Sequence, residues 1–310
     1  MARMRFGAMA AAVVCALAAL AAGGCQKEAP APAPPPASGA AAPLRILSLA
    51  TNLTEILFAM GLGDRVVGRS TYCAYPPEAA ALPAVGDTLQ LNLERVVALK
   101  PTVAFLITRR DDVPRRLEAV GVRAVALRSD HMSEMLQSVA TIGRETGHEA
   151  DAQMLLDHIQ VGLMRVRARV KGLPRPKVLF AFPMTIGSPQ MMVAGRGTFV
   201  DELLDVAGAA NAYPKTADWP TLSPQAVIGL GPEVVIVNAT AEDAAPDRLE
   251  AVRRAWANWT SVPAVKAGRV HVLTETFLTI PGPRVVQAAA VLAEAIHPEL
   301  RGATPEGARP

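Results

Sequence analysis

The chain has 310 residues, 51% of them hydrophobic and 19% charged, with 31 Lys and Arg set against 28 Asp and Glu. Two of the basic residues, Arg3 and Arg5, lie in the leading segment, which leaves 29 against 28 and a nearly neutral body. Such a balance offers no dense basic patch for phosphates, and so excludes a nucleic-acid partner.

MARMR opens with positive charge, an apolar stretch runs from Ala8 to Ala22, and AAGGC sets small residues directly ahead of Cys25. That order is a secretory signal, and small residues before a cysteine resemble a bacterial lipoprotein processing site. Residues 1–24 are read as a lipoprotein signal peptide and Cys25 as the lipidated residue. The protein is then expected to be exported and anchored on the periplasmic side of the cell envelope. The apolar run is short for a bilayer span. Residues 25–43 are rich in Pro and Ala and read as a semi-extended tether. Cys15 leaves with the signal, so Cys73 has no partner for an intramolecular disulfide and is expected to pack as a small residue.

Residues 44–147 read as an N-terminal α/β lobe. RILSL (45–49) is a short strand, and the ATNLTEILFAMG that follows is a helix. Asn52 is expected to cap that helix, with Glu55 reaching back as in a capping box. Leu53, Ile56, Leu57 and Met60 form its buried stripe. RVVG, TVAFLI and VRAVAL are further strands, with helices near 92–99 and 113–120. Strand and helix in alternation imply parallel pairing through crossover helices.

Residues 148–172 carry the longest helical pattern, with Leu155, Ile159, Leu163, Val166 and Val170 on one face and Thr146 with Glu149 as the expected cap. At 1.5 Å per residue it would run about 36 Å, enough to bridge two lobes. A second α/β lobe follows over 173–300, then a disordered tail over 301–310. Its phrases repeat the first. NLERVVALKP (92–101) matches SPQAVIGLGP (223–232), with Pro101 over Pro232. TEILFAMG (54–61) matches DELLDVAG (201–208), with Glu55 over Glu202 and Gly61 over Gly208. The fold class expected is α/β: two similar lobes with parallel-rich central sheets, bridged by a single long α-helix.

SLATNLTEILFAMGLGDRVVG, TYCAYPPEA, LPAVG and NLERVVALKP resemble the first lobe of periplasmic cobalamin-binding proteins, within the class III substrate-binding proteins for siderophores, heme and corrinoids. GTFVDELLDVAG, WPTLSPQAV, VPAVKAGRVHVL and PGPR resemble the second lobe. The resemblance spans nearly all of 44–300. It implies a monomer that binds a metal chelate, first a corrinoid such as cobalamin and second a ferric siderophore or heme, with no cofactor of its own. It also implies delivery to the permease and ATPase complex of an ABC importer at the inner membrane.

In open α/β sheets ligands bind beyond the carboxyl ends of the strands, and in two lobes those ends can face one cleft. Tyr72 and Tyr75 from the first lobe, and Tyr213 and Trp219 from the second, are the aromatic candidates for a flat macrocycle. Gln90 and Asn52 are candidates for hydrogen bonds to the ligand, Arg196 for an anionic group, and Phe277 for a further apolar contact. The resemblance also implies departures. Thr88 and Ile107 stand where cobalamin binders place tryptophans, Thr276 and Ile280 where they place polar partners, and Asp87 where heme carriers place an iron-ligating tyrosine. Glu94 matches the outer carboxylate that docks onto permease arginines, whereas its second-lobe counterpart is Gln225, which lacks the charge-assisted strength.

The competing class is a periplasmic enzyme or signalling receptor on the same fold. It would need a convergent acid, base or nucleophile, and the sequence has no Gly-x-Ser-x-Gly elbow, phosphate loop or His-Glu-x-x-His helix. His148 and His158 lie far out of phase on one helix, so no resident metal is expected. A binding protein without turnover is the reading carried forward.

Overall fold

The computed structural model describes residues 43–183, 190–215, 218–239 and 245–300. The signal segment, Cys25, nearly all of the tether and the 301–310 tail lie outside the described residues.

The first lobe runs β1 (Ile46–Ser48), α1 (Thr51–Ala59), β2 (Val66–Arg69), α2 (Pro77–Ala80), α3 (Leu93–Leu99), β3 (Val103–Ile107), α4 (Asp112–Glu118), β4 (Arg123–Leu127) and α5 (Met132–Thr146). A long helix, α6 (Glu149–Val170), leads to the second lobe. There the order is β5 (Lys177–Ala181), β6 (Met191–Met192), α7 (Phe199–Val206), β7 (Ala210–Asn211), β8 (Thr221–Leu222), α8 (Pro224–Leu230), β9 (Val234–Asn238), α9 (Pro246–Ala257), α10 (Pro263–Lys266), β10 (Val270–Leu273) and α11 (Val285–Ile296). Each lobe has a four-stranded parallel sheet, ordered β2-β1-β3-β4 in the first and β7-β5-β9-β10 in the second. The two orders correspond strand for strand. A short antiparallel ribbon, β6 with β8, is added to the second lobe.

The repeated phrase becomes a repeated device. Asn92 caps α3 by accepting from the Arg95 N–H at 3.0 Å, and Ser223 caps α8 by accepting from the Ala226 N–H at 3.3 Å. Both helices then close on a left-handed residue, Lys100 (φ 48°) and Gly231 (φ 59°), before a proline and a central strand. Val96 and Val227, at matching places, are fully buried.

One apolar cluster joins the lobes. Ile46, Phe105 and Ile142 from the first, Phe180, Leu203 and Leu292 from the second, and Ile159, Leu163 and Val166 of α6 pack together. Helix α6 has 22 residues and spans about 33 Å. Its approach to α11 is close: a Cβ at Gly162 would stand 2.6 Å from the Val286 methyls. The outer face of each sheet has its own cluster, around Leu47, Leu106 and Leu117 in the first lobe and around Val235, Val237 and Trp256 in the second.

Two expected caps are not formed. Ala50, not Asn52, precedes α1, and no side chain caps that helix. His148 precedes α6, its Nδ1 2.9 Å from Asp151, while the Thr146 hydroxyl donates back to the Ile142 carbonyl. In both cases the polar side chain is used by a tertiary or preceding-turn contact instead.

Candidate functional site

The carboxyl ends of both sheets meet at an inter-lobe cavity of about 290 Å³. From the first lobe come Arg109, beyond β3, and Ser129, Asp130 and His131, beyond β4. The second lobe supplies Gly197 to Val200 at the start of α7, Asp218 and Trp219 before β8, and Thr279 with Pro281 after β10. Trp219 is half-buried, with its ring 5.4 Å from that of Phe182. It gives the cavity an aromatic wall held from behind.

The polar bank is a charge network. Asp130 Oδ2 accepts from Arg109 at 2.6 Å and from Arg128 at 2.7 Å, and Arg128 also reaches Glu134 at 3.1 Å. Partial burial pushes the Asp130 carboxyl up, but its two arginines outweigh that and hold it below the usual carboxylate range. The Arg109 guanidinium is raised, first by its hydrogen bond to Asp130, and Asp218 adds to this from the opposite lobe.

Contacts tie the lobes together at the rim. Glu55 of α1 accepts from Arg284, which precedes α11, at 2.6 and 2.9 Å. The Arg284 guanidinium lies 3.9 Å from the Tyr75 ring centroid and 4.9 Å from that of Phe277, so aromatic side chains from both lobes stack on it. Asn52 Nδ2 donates to Ser129 Oγ at 2.9 Å and to the Pro281 carbonyl at 3.3 Å. The repeat-related Glu202 of α7 does the corresponding work at the other rim. It accepts the Met132 N–H at 2.6 Å, where α5 begins, and its other oxygen lies 3.7 Å from His131 Nδ1.

Of the side chains singled out from sequence, Trp219 lines the cavity. Asn52, Tyr75 and Phe277 are engaged in the ties between lobes, because Arg284 and the Pro281 carbonyl offer them partners that no sequence window shows. Tyr72 is 69% exposed and does not line the cavity; its carbonyl accepts from Thr51 Oγ1 and its N–H donates to Ser70 Oγ. Tyr213 packs on the outer second-lobe cluster, its N–H held by Asn211. Gln90 is exposed in a turn whose N–H groups Asp87 accepts. Arg196 lines a separate cavity of about 620 Å³ with Asp201, Glu202 and Asp205. Glu94 and Gln225 stand exposed at matching positions of α3 and α8. Cys73 is fully buried, and burial pushes its thiol up. Asp130, His131 and Asp218 are among the cavity residues that sequence reasoning passed over; the signal for the first two was their place directly after a strand.

The sequence profile of the periplasmic binding proteins matches residues 46–276. The chain belongs to this family. This periplasmic binding protein is 28% identical over 262 residues to the uncharacterized ABC transporter substrate-binding lipoprotein YvrC of Bacillus subtilis (strain 168), covering 83% of this chain and 81% of that one. It is 26% identical over 255 residues to a vitamin B12-binding protein of Pectobacterium carotovorum, covering 80% and 87%. Among solved structures, the apo periplasmic heme-binding protein RhuT of Roseiflexus sp. RS-1 is 28% identical with a TM-score of 0.70, covering 82% of this chain and 98% of that one. Among the described residues, no helix is long and apolar enough to cross a membrane, and no group of three or more His, Cys, Asp or Glu could hold a metal ion.

Proposed function

We propose that this periplasmic binding protein is the capture component of an ABC importer, lipid-anchored through Cys25 on the periplasmic side of the envelope. It takes a metal chelate, most favourably a corrinoid, into the gap between its lobes and hands it to the permease and ATPase complex. It acts as a monomer, by binding alone, with neither turnover nor a cofactor of its own. The observation that carries this is the cavity itself: repeat-related lobes present their strand ends to one gap, and Trp219 supplies an aromatic wall there. The vitamin B12-binding relative supports the corrinoid. The heme-binding structural relative supports heme or a ferric siderophore as the second reading.

Size sets a condition on capture. A volume of about 290 Å³ sits at the lower edge of ligand pockets, which run from about 300 to 1,000 Å³. A macrocycle therefore enters by parting the lobes. The buried Glu55–Arg284 tie resists opening more than the exposed Glu202–His131 contact does, so the Glu202 rim is the side that yields. Handover would use the outer ends of α3 and α8, where Glu94 offers charge and Gln225 a neutral amide.

Titration of the purified protein with cyanocobalamin and dicyanocobinamide tests the reading. Micromolar or tighter binding of either supports the corrinoid. Binding of heme or a ferric siderophore alone moves the cargo to the second reading, and binding of none removes the carrier.

A further inference from the structure

We propose that the outward face of α6 pairs antiparallel with the same face of a second copy of the chain, about a twofold axis at Val161. One copy remains the unit of capture, and the pairing needs no ligand. Among the described residues, α6 is packed from one side. Ile159, Leu163 and Val166 are buried in the cluster that joins the lobes, and Gly162 abuts Val286 of α11. On the opposite side Met154, Val161 and Met164 stand 64%, 40% and 57% exposed. Single exposed apolar residues are ordinary. These three follow one stripe, spaced by seven and then three residues, which is the spacing of a helix–helix seam.

Charge selects the occupant. The first half of α6 carries Glu149, Asp151 and Asp157; the second half carries Arg165, Arg167 and Arg169, with Lys171 directly after it. The helix dipole favours such sorting at the termini, but it does not account for the apolar stripe between them. A twofold axis at Val161 sets each residue opposite the one equally far to the other side. Asp157 then meets Arg165 of the second copy, four residues to either side of the axis, and Met154 meets Ala168, seven to either side. Asp151, which also holds His148 at 2.9 Å, meets Lys171, ten to either side. Every pair occurs twice, as an isologous contact requires, and acid faces base each time. A parallel arrangement would set like charges together. Asp157, Arg165 and Lys171 are exposed, and the latter two have no ion-pair partner among the described residues. Asp157 accepts only from Gln153 of its own helix, at 2.8 Å.

The size of the seam sets its strength. One helix pair falls below the about 1,200 Å² that marks off transient interfaces, so the pairing is weak in free solution. Copies anchored to one membrane, as proposed above, meet at a raised effective concentration, where weak pairing is enough.

The test is sedimentation of the exported chain carrying Cys25→Ser, so that no lipid drives association, from micromolar to millimolar protein. A monomer–dimer equilibrium that salt weakens is expected. Asp157→Arg or Arg165→Asp alone breaks both symmetric pairs and should weaken it about tenfold; the two together exchange the charges and should restore it. Val161→Cys, which meets itself on the axis, should form a disulfide dimer under mild oxidation, while Met154→Cys, far from its own copy, should not. The remaining Cys73 is buried and stays out of this reaction. All four positions are exposed, and an unchanged Tm checks each fold. A wild type that stays monomeric at millimolar concentration overturns the pairing. So does a double exchange that fails to restore association, or a Met154→Cys chain that cross-links as readily as Val161→Cys. A monomer that co-sediments with phosphatidylglycerol vesicles gives the face to a lipid surface and also overturns it. Each of these outcomes leaves chelate capture untouched, since titration with cyanocobalamin reads that separately.

Discussion

Glu55 and Arg284, 229 residues apart in the chain, form a two-point ion pair that joins the first lobe to the second. Its repeat-related counterpart, Glu202, binds the start of α5 in the other direction. Each lobe's first helix thus offers a glutamate to the start of the other lobe's last helix, as a pseudo-twofold arrangement requires. The two ties differ in strength. The Glu55 and Arg284 side chains are 2% and 13% exposed, whereas Glu202 and His131 are 36% and 46% exposed.

Removing one partner of the buried pair leaves the other charge stranded in the interior. Glu55→Ala or Arg284→Ala is expected to destabilise the protein by about 3–5 kcal/mol in urea unfolding. The paired replacement Glu55→Leu with Arg284→Met should recover much of that loss. A loss below about 1 kcal/mol for each single variant would show that the pair is solvent-screened.

Trp219 should matter for binding. Trp219→Ala is expected to weaken the chelate by about 1–3 kcal/mol, measured by titration. Unchanged affinity would make the ring a support for Phe182 alone.

Helix α6 leaves no room at Gly162. Gly162→Ala gains about 1 kcal/mol of helix propensity, but the Val286 methyls at 2.6 Å belong to a stiff β-branched side chain. Overpacking costs about 1–3 kcal/mol, so a lower Tm is expected. A rise in Tm would mean that α11 moves aside freely.

The Asp130 network sets an acid limit. Because the folded carboxyl titrates below its ordinary range, its contribution is complete above a pH of about 4. It is lost as pH falls further, through the depressed value. Carboxyl NMR should show Asp130 titrating below the exposed aspartates, and Arg109→Ala together with Arg128→Ala should raise it.

Cys73 should be inert. Burial holds its thiol neutral, so a thiol reagent at neutral pH is expected to modify it only on unfolding. Rapid labelling of the native protein would contradict the packed geometry.

Much of the fold was legible because it is written in short-range patterns. The polar start, short apolar helix and closing proline shared by NLERVVALKP and SPQAVIGLGP could be read directly, since each depends on neighbours a few residues away. Helix α5 was missed although Met135, Val139 and Ile142 keep a helical spacing, and the two-residue strands β6, β7 and β8 carry too little pattern to register. Among site residues, Trp219 was found as an aromatic in a loop beyond the strands. Tyr75 and Phe277 fitted the same description, and sequence gave no means to tell a wall of the cavity from a platform for Arg284.

The amino-acid order alone determined two α/β repeats, their parallel strands and the long helix between them, because helix periodicity, caps and breakers act within a turn or two. Tertiary structure alone decided that Asn52 and Glu55 join lobes instead of capping a helix, and that His131 and Asp130 share a cavity with Trp219. Those partners lie more than 75 residues apart, and a polar side chain takes whichever buried partner folding brings to it; no local rule names that partner in advance.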